Sequence, residues 1–374
     1  MNLSGRSMST NGKSQDFGQL FSREKLPVDI IVVVWGKQYT SLFLNVVIPN
    51  YLSPGNLPTI AKNNDVRFRL FTTEEDKALI AQHKSWKQLQ KLCPVEFVPV
   101  IDGKVLSNKS KWGAKGYCQS LALKDAMNQR KVVFFLNPDS LISDGGLAKA
   151  LGWIDKGKKT VLVAELVRAE IESVVPELLG KFYDPEQNVL NLSSRALVEL
   201  GIKHMHDIGK ILFWKGKVFS RWPSLVYWKV GEKSLLAKFF HWHPILIDLR
   251  TLAREVPDVL MPDDGGLIEY LGIKSSELYP MTDSEESAWV ELSSKFMELE
   301  DSRPHQPRNK TWAILKWALR AASVEHRQQF LKWNIHYQGD EKIDWLKWER
   351  KAKVDLCFVN WGLFSGDLLT PMTL

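Results

Sequence analysis

The sequence predicts an α/β protein with a wound, mostly parallel sheet. Three apolar runs early in the chain, two of them followed by segments with helical signals, predict alternating strands and helices; the runs are 28–34 (VDIIVVV), 66–71 (VRFRLF) and 94–101 (PVEFVPVI). A fourth run, 132–136 (VVFFL), is apolar throughout, as a strand buried on both faces requires. Such alternation is typical of a parallel sheet covered by helices.

The remaining elements follow from the same patterns. Residues 1–26 lack apolar periodicity and predict a flexible leader. The cap Thr72-Thr73-Glu74-Glu75 predicts a helix that reaches about Leu92. A further strand is predicted at 160–166 (TVLVAEL), and other helices are predicted at 39–51, 120–127, 147–154 and from 191 to 200.

Composition predicts an ordinary soluble protein. The 374 residues are 44% hydrophobic and 25% charged, and the net charge is +7. We attribute this charge to solubility and predict no nucleic-acid partner, because no basic patch accompanies a nucleic-acid motif; anionic ligands or an anionic membrane surface remain compatible. Scattered cysteines, a polar N-terminus and no apolar run of spanning length predict a cytoplasmic location.

The stretch that organises the chain is 115–146, which ends its apolar strand at Asn137-Pro138-Asp139-Ser140. Pro138 cannot continue a central strand. A carboxylate just after a strand lies at the sheet edge where open α/β proteins bind ligands. The alternative interpretation is a plain turn in which Asn or Asp hydrogen-bonds its own backbone.

Two phosphate-binding loops are missing. The first strand is followed by Trp35-Gly36-Lys37-Gln38-Tyr39 and not by GxGxxG, which argues against a dinucleotide dehydrogenase. No GxxxxGK[ST] occurs, which argues against a P-loop NTPase. The predicted sheet therefore suits a nucleotide held by other means.

The opening VVVWG, the VRFRLFTT strand and the helix–strand–NPDS passage together resemble the nucleotide half of nucleotide-sugar glycosyltransferases with the GT-A fold. The resemblance covers about residues 27–165. That family usually carries Asp-x-Asp, whereas this chain has Asn137-Pro138-Asp139, so an uncharged amide oxygen replaces one carboxylate. The resemblance implies a nucleotide-sugar donor, a glycan or lipid-linked acceptor, and a divalent cation, Mn²⁺ or Mg²⁺.

The resemblance also implies site residues. The donor's base, ribose and phosphates would contact residues at the ends of the first strands, on the helix before the motif and in the motif itself: Trp35, Gly36, Tyr39, Thr72, Lys115, Tyr117, Asn137 and Asp139. Among these, Lys115 and Tyr117 would neutralise phosphate, and Asp139 would bind the cation or the ribose.

His241 and His243 are the predicted metal ligands besides Asp139. In an extended chain these two imidazoles face one side while Trp242 faces the other, which is a metal-ligand geometry. The alternative is a strand end whose histidines hydrogen-bond their neighbours. The resemblance implies a metal-binding histidine in this half of the chain.

Asp263 and Asp264 are the predicted catalytic bases. They precede Gly265-Gly266, where substrate could approach the backbone closely, although an acidic turn before a helix explains the pattern equally well. Here the histidines precede the acids, which reverses the family's usual order.

The predicted domain organisation has three parts. A catalytic domain at 27–300, with its nucleotide half at 27–165 and its acceptor half at 166–300, follows the leader. Residues 301–374 form a basic, helical extension rich in tryptophan, which either packs on the catalytic domain or contacts the inner face of a membrane peripherally.

The sequence thus predicts a glycosyltransferase that moves a sugar from a nucleotide-sugar donor to a hydroxyl acceptor in surface glycan or glycoconjugate synthesis. One alternative is a metal-dependent hydrolase whose ligands are His241, His243, Asp139 and Asp263. Another is a catalytically silent module that binds a sugar nucleotide.

Overall fold

The computed structural model describes residues 24–98, 110–164, 167–252, 256, 266–296, 304–305 and 309–369. Its centre is a seven-stranded sheet. Six strands run parallel to one another, and the strand His243–Asp248 runs antiparallel to them. In spatial order the strands are β3 (Val95–Val98), β2 (Asp65–Phe71), β1 (Pro27–Val33), β4 (Val132–Leu136), β13 (His243–Asp248), β6 (Thr160–Val163) and β14 (Leu278–Pro280). The predicted α/β fold with a wound, mostly parallel sheet is confirmed.

Helices cover this sheet, which is why its central strands are apolar on both faces. All five residues of β4 are buried, as are six of the seven in β1. The first helices are α1 (Lys37–Leu42), a π-helical turn (Phe43–Val47), α2 (Ile48–Tyr51), α3 (Leu57–Asn63), α4 (Glu74–Gln82), α5 (Lys84–Leu89), α6 (Lys111–Asn128) and α7 (Gly146–Asp155).

Two helix predictions differ from the structure. The helix predicted from Thr72 to Leu92 is broken at His83, whose extended backbone ends α4 and whose side chain accepts from Ser85 N to cap α5. The helix predicted at 120–127 begins nine residues earlier, because Ser110 caps it by accepting from Gly113 N. This extension brings Lys115 onto a helix.

A second sheet adjoins the end of β4. It contains β5 (Ser140–Ile142), which begins directly after Asp139, with β15 (Trp289–Ser293) in the middle and β7 (Val167–Glu170) on the far side. The elements around it are α8 (Ile171–Lys181), the hairpin β8 (Tyr183–Asp184) and β9 (Val189–Leu190), α9 (Ser194–Lys203), α10 (Asp207–Lys210), α11 (Gly266–Leu271) and a 3₁₀ turn (Ser275–Glu277).

The C-terminal region packs on a third sheet and shares its core. The strands of this third sheet are β11 (Leu225–Lys229), β12 (Leu235–Phe239) and β17 (Ile335–Tyr337). A separate two-stranded sheet consists of β10 (Phe219–Ser220) and β16 (Pro304–His305). The helices are α12 (Lys310–Ala321), α13 (Val324–Lys332), α14 (Trp345–Asp355) and α15 (Cys357–Leu369). Their buried side chains form one cluster with those of β11 and β12.

The tryptophans of this region divide between packing and solvent. Trp317 is buried, and Trp333, Trp345 and Trp348 are half-buried. Trp312 and Trp361 are instead 63% and 71% exposed, so packing does not account for them. None of the helices in the described ranges combines the length and apolar character that crossing a bilayer requires.

Candidate functional site

The turn Asn137–Asp139 lies between β4 and β5, at the edge where the parallel strands end. Neighbouring elements hold its backbone. The Tyr51 hydroxyl donates to Asn137 O at 2.8 Å, and Leu292 N donates to Asp139 O at 2.7 Å. The turn is therefore fixed from two sides, by α2 and by β15, and its residues are presented at the sheet edge that binds ligands in this fold class.

Lys115 reaches this turn from α6. Its Nζ donates to Asn137 Oδ1 at 3.0 Å and lies 5.9 Å from the ring centroid of Trp112, one helical turn earlier. Two predicted site residues, Lys115 and Asn137, are thus brought into contact. The turn carries an ammonium group as well as the Asp139 carboxylate.

Tyr39 approaches from α1. Burial raises the pKa of its hydroxyl, and the carboxylates of Asp139 and Glu291 raise it further, while Arg168 opposes them. A third predicted residue, Tyr39, therefore lies in the electrostatic field of Asp139. The tyrosine stays protonated at neutral pH and can donate a hydrogen bond.

Arg168 and Glu291 belong to the same cluster, although the sequence analysis did not identify them. Their side chains are joined at 2.6 Å, and each is about one-fifth exposed. In the small sheet Glu291 pairs with Arg168 on one side and with Ser140, directly after Asp139, on the other. The only sequence signal was the alternation of VRAE and WVELS, in which single charged residues interrupt apolar strands.

A pocket of about 210 Å³ opens beside this cluster. Tyr39 and Leu292, which line it, link it to Asp139. It is smaller than the roughly 300–1,000 Å³ of pockets that enclose whole small-molecule ligands, so it suits one part of a nucleotide sugar. The other lining residues are Gln38, Leu42, Ile171, Ser293, Ser294 and Phe296.

Gly36 precedes α1, the helix that carries Tyr39. It has φ +83°, a conformation that favours glycine, and its N–H donates to Asp76 Oδ2 at 2.8 Å. Asp76 also accepts from the hydroxyls of Thr40 at 3.0 Å and Thr73 at 2.8 Å. The Gly36 amide thus donates its hydrogen bond to a protein carboxylate, and this bond anchors the start of α1.

Three other predicted donor-binding residues are less directly placed. Trp35 is half-buried and packs against the main core, and Thr72 is fully buried with no hydrogen-bond partner for its hydroxyl among the described residues. Tyr117 follows Lys115 by two positions on α6, so the two side chains do not face each other. Donor binding by these three residues stays a prediction.

The two predicted histidine ligands lie where β12 ends and β13 begins. The chain bends between Phe239 and His243, so it is not the continuous extended segment that the prediction assumed. His243 lies three residues before Leu246, which pairs with Phe134, and Asn137 lies three residues after Phe134. The antiparallel register therefore brings His243 and Asn137 to the same sheet edge.

His241 belongs to a different environment. Its ring centroid is 5.1 Å from that of Trp317 and 4.8 Å from that of His326. Burial, then His243, lowers the pKa of His241 to about 4. Among the described residues no three His, Cys, Asp or Glu side chains are grouped to hold a metal ion, so Asp139, His241 and His243 do not form such a group.

Asp263 and Asp264, the predicted catalytic bases, lie outside the described residues. Their role stays a prediction. Within the described ranges Glu291 is a carboxylate that acts electrostatically on the same tyrosine as Asp139.

No protein-family model matches the sequence. No curated protein matches it either. Among solved structures, mouse xyloside xylosyltransferase 1 is similar at 10% identity, covering 76% of this chain and 99% of that protein, with a TM-score of 0.31.

Two further structures are similar over shorter stretches. Core-mannan synthase A of Aspergillus fumigatus, in its Mn/GDP form, has 11% identity over 52% of this chain and 59% of its own, with a TM-score of 0.24. A 4-diphosphocytidyl-2C-methyl-D-erythritol synthase of Anaerococcus prevotii has 16% identity over 38% and 56%, with a TM-score of 0.24. The chain thus spans a little over half of these two proteins. Because all three TM-scores are below 0.5, these similarities assign no function to the chain.

Proposed function

We propose that the chain is a glycosyltransferase that moves a sugar from a nucleotide-sugar donor to a hydroxyl acceptor. The observation that carries this proposal is the contact at 3.0 Å between Lys115 Nζ and Asn137 Oδ1, at the ligand-binding edge of a wound parallel sheet. The contact places a positive charge on Asn137, two residues before Asp139, and Asp139 acts electrostatically on Tyr39, which lines the pocket. A diphosphate needs such a charge, and a sugar or base needs such a pocket.

A divalent cation fits this turn poorly. The turn offers one carboxylate, Asp139, and the amide oxygen of Asn137 already accepts from an ammonium group. Mg²⁺ and Mn²⁺ are hard cations that favour several oxygen ligands and would lie too close to the Lys115 charge. The described residues therefore favour Lys115, and not the cation implied by the resemblance, as the group that neutralises the donor's phosphates.

The reaction leaves negative charge on the departing diphosphate. Lys115, held at the turn by Asn137, is placed to stabilise that charge without moving. Asp139 accepts hydrogen bonds from donor hydroxyls, and Tyr39, kept protonated by its surroundings, donates one. The rings of Tyr39 and Phe296 give the pocket two aromatic surfaces on which a base or sugar can stack.

Inversion at the sugar carbon requires a base to take the acceptor's proton, whereas retention does not. Glu291 is the candidate among the described residues, with Arg168 orienting its carboxylate. Asp263 and Asp264 are the candidates from the sequence. The acceptor we propose is a glycan or a lipid-linked sugar, used in surface glycan or glycoconjugate synthesis on the cytoplasmic side of a membrane.

A thermal-shift panel tests the proposal. UDP-, GDP-, CMP- and dTDP-sugars are each added in EDTA and in Mn²⁺. At one hundred times its dissociation constant a true donor stabilises the protein by about 2.7 kcal/mol, a readily visible shift. We expect one nucleotide family to produce it in EDTA, and Lys115→Ala, which binds at least tenfold more weakly, to reduce it to about 1.4 kcal/mol or less.

The matched control is Lys124→Ala, on the same helix and about 13 Å farther along its axis. It should keep the shift. No shift with any nucleotide, together with tight binding of zinc, would overturn the proposal in favour of a metal-dependent hydrolase. A nucleotide shift without sugar transfer to any acceptor would instead indicate a catalytically silent binding module.

A further inference from the structure

Helices α12 and α15 lie side by side and meet at Leu315 and Gly362. A Cβ atom on Gly362 would lie 2.9 Å from Leu315 Cδ2, so the contact is close because residue 362 is glycine. The inner faces of both helices are buried in the C-terminal core, through Ile314 and Trp317 on α12 and through Val359 and Leu363 on α15. The core is therefore complete without the residues on the outer faces.

Large apolar side chains occupy the outer faces on both sides of that contact. On α12, Trp312 is 63% and Leu319 is 51% exposed; on α15, Phe358 is 73% and Trp361 is 71% exposed. Trp312 and Leu319 lie within about 20° of one another around their helix. Leu315, three residues after Trp312 on α12, contacts Gly362, the residue after Trp361 on α15. The result is one apolar surface, which we call the α12–α15 surface.

The charge around the α12–α15 surface is positive. Lys316 and Arg320 are exposed on the same side of α12 as Trp312, and α12 contains no acidic residue. On α14, next in the chain before α15, Lys347, Arg350 and Lys353 are exposed as well. The basic side chains of α12 thus lie on the same side of the helix as the exposed indole of Trp312.

The acidic side chains of α14 form contacts with other parts of the protein. Glu349 pairs with His336 at 2.8 Å, and Asp355 accepts from Trp228 Nε1 at 2.9 Å. Lys310, at the start of α12, is also directed inward, donating to the carbonyls of Trp214 and Gly216 at 2.5 and 2.6 Å. On α12 and α14, the charged side chains that are exposed are therefore all Lys or Arg.

We propose that the α12–α15 surface docks this protein on an anionic bilayer. Tryptophan and phenylalanine insert at the level of the lipid headgroups, and the surrounding Lys and Arg are attracted to anionic lipids. Solvent exposure alone accounts for the charged residues but not for an adjoining group of exposed aromatic rings. A second copy fits worse, because a two-fold contact through this surface would bring the same basic residues together.

Co-sedimentation with vesicles tests this proposal. Vesicles of phosphatidylcholine with about 30% phosphatidylglycerol are compared with vesicles of phosphatidylcholine alone. We expect the wild-type chain to bind the anionic vesicles at least tenfold more tightly, and the preference to shrink in high salt. The variants Trp312→Ala/Trp361→Ala and Lys316→Glu/Arg320→Glu should each lose at least tenfold in partitioning.

The charge control is Lys87→Glu/Lys91→Glu, an equal change at exposed residues near α5 in the nucleotide half. It should bind vesicles nearly as the wild type does, and thermal melts would confirm that every variant is folded. Equal loss in this control and in Lys316→Glu/Arg320→Glu would overturn the proposal, since net charge alone would then explain binding. If the chain did not bind vesicles and light scattering showed dimers that Trp312→Ala/Trp361→Ala dissociates, the surface would be assigned to a second copy instead. Nucleotide-induced thermal shifts should be unchanged in all these variants, so this test and that of sugar transfer succeed or fail separately.

Discussion

The ammonium group of Lys115 lies 3.0 Å from Oδ1 of Asn137. The amide oxygen of Asn137, at the start of the turn after β4, therefore accepts a hydrogen bond from a cationic side chain. A carboxylate at 137 would form an ion pair with Lys115, whereas the amide oxygen of Asn137 accepts from the ammonium group without neutralising it.

Asn137→Asp should make nucleotide binding depend on a divalent cation. The new carboxylate forms an ion pair with Lys115, so affinity in EDTA falls about tenfold, which corresponds to about 1.4 kcal/mol. Two carboxylates then offer Mn²⁺ a better site, so Mn²⁺ restores binding. Titration calorimetry in EDTA and in Mn²⁺ measures both effects, and identical affinities for variant and wild type in EDTA would contradict this interpretation.

Asp139→Ala should weaken donor binding without unfolding the protein. The backbone carbonyl of residue 139, which accepts from Leu292 N, is unaffected by this change. Loss of a charged hydrogen-bond acceptor for the ligand costs about 1.5–3 kcal/mol, or roughly 10- to 100-fold in affinity. Asp65→Ala, at the exposed start of β2 on the opposite sheet edge, is the control in the same titration. Equal affinities for the two variants would show that Asp139 does not contribute to donor binding.

Asp76→Ala should lower both stability and donor affinity. Asp76 is buried and accepts from Gly36 N, Thr40 Oγ1 and Thr73 Oγ1. Removing its carboxylate leaves these donors without their partner, at a cost of about 2–4 kcal/mol of unfolding free energy. The start of α1, the helix that carries Tyr39, then loses its anchor, and nucleotide affinity falls with it.

Urea unfolding measures this loss of stability. Glu75→Ala, at the exposed neighbouring position in the first turn of α4, should change the free energy by no more than about 0.5 kcal/mol. If Asp76→Ala unfolded at the same urea concentration as Glu75→Ala, the anchoring role of Asp76 would be lost.

Stability should fall as pH drops from about 6.5 toward 4. Burial lowers the pKa of His326 to about 4, with smaller effects from His241 and His243, and burial likewise lowers the pKa of His241 to about 4. The unfolded chain takes up protons from about pH 6.5, while the folded chain resists them down to about pH 4. Unfolded protein therefore binds more protons in this window, and acidification favours it.

His326→Leu should flatten this pH dependence. Both ring nitrogens of His326 are buried without hydrogen-bond partners among the described residues, so an apolar side chain fits the site at neutral pH. Thermal melting at a series of pH values should show a smaller loss between pH 6.5 and 4 than in the wild type. A variant as acid-sensitive as the wild type would show that other groups control acid unfolding.

The sequence predicted five of the seven strands of the central sheet, all but β13 and β14, but it did not predict how the site is assembled. Apolar runs such as 28–34 and 132–136 predict central strands because both faces of such strands must be apolar. Lys115 and Asn137 could each be identified as candidates from their places before and after one strand. Their direct contact depends on the angle at which α6 crosses the sheet, which no local pattern encodes.

Arg168 and Glu291 show why the rest could not be predicted. They are 123 residues apart and meet only because β15 inserts between β5 and β7, a long-range pairing. His241 shows the opposite error, because a local pattern predicted that its side chain shares one face with that of His243. The HxH spacing implies one shared face only in an extended chain, and here the chain bends before His243 and directs His241 toward Trp317 and His326.

The affinity of Lys115→Ala for a nucleoside diphosphate in EDTA tests most directly whether Lys115 neutralises the phosphates of the donor. Calorimetry should show that the wild-type chain binds one nucleoside diphosphate without a divalent cation, and that Lys115→Ala weakens this binding by 10-fold or more, while Lys124→Ala does not. Wild-type binding that requires Mn²⁺ and is unchanged in Lys115→Ala would contradict the assignment of Lys115 as the phosphate-neutralising group.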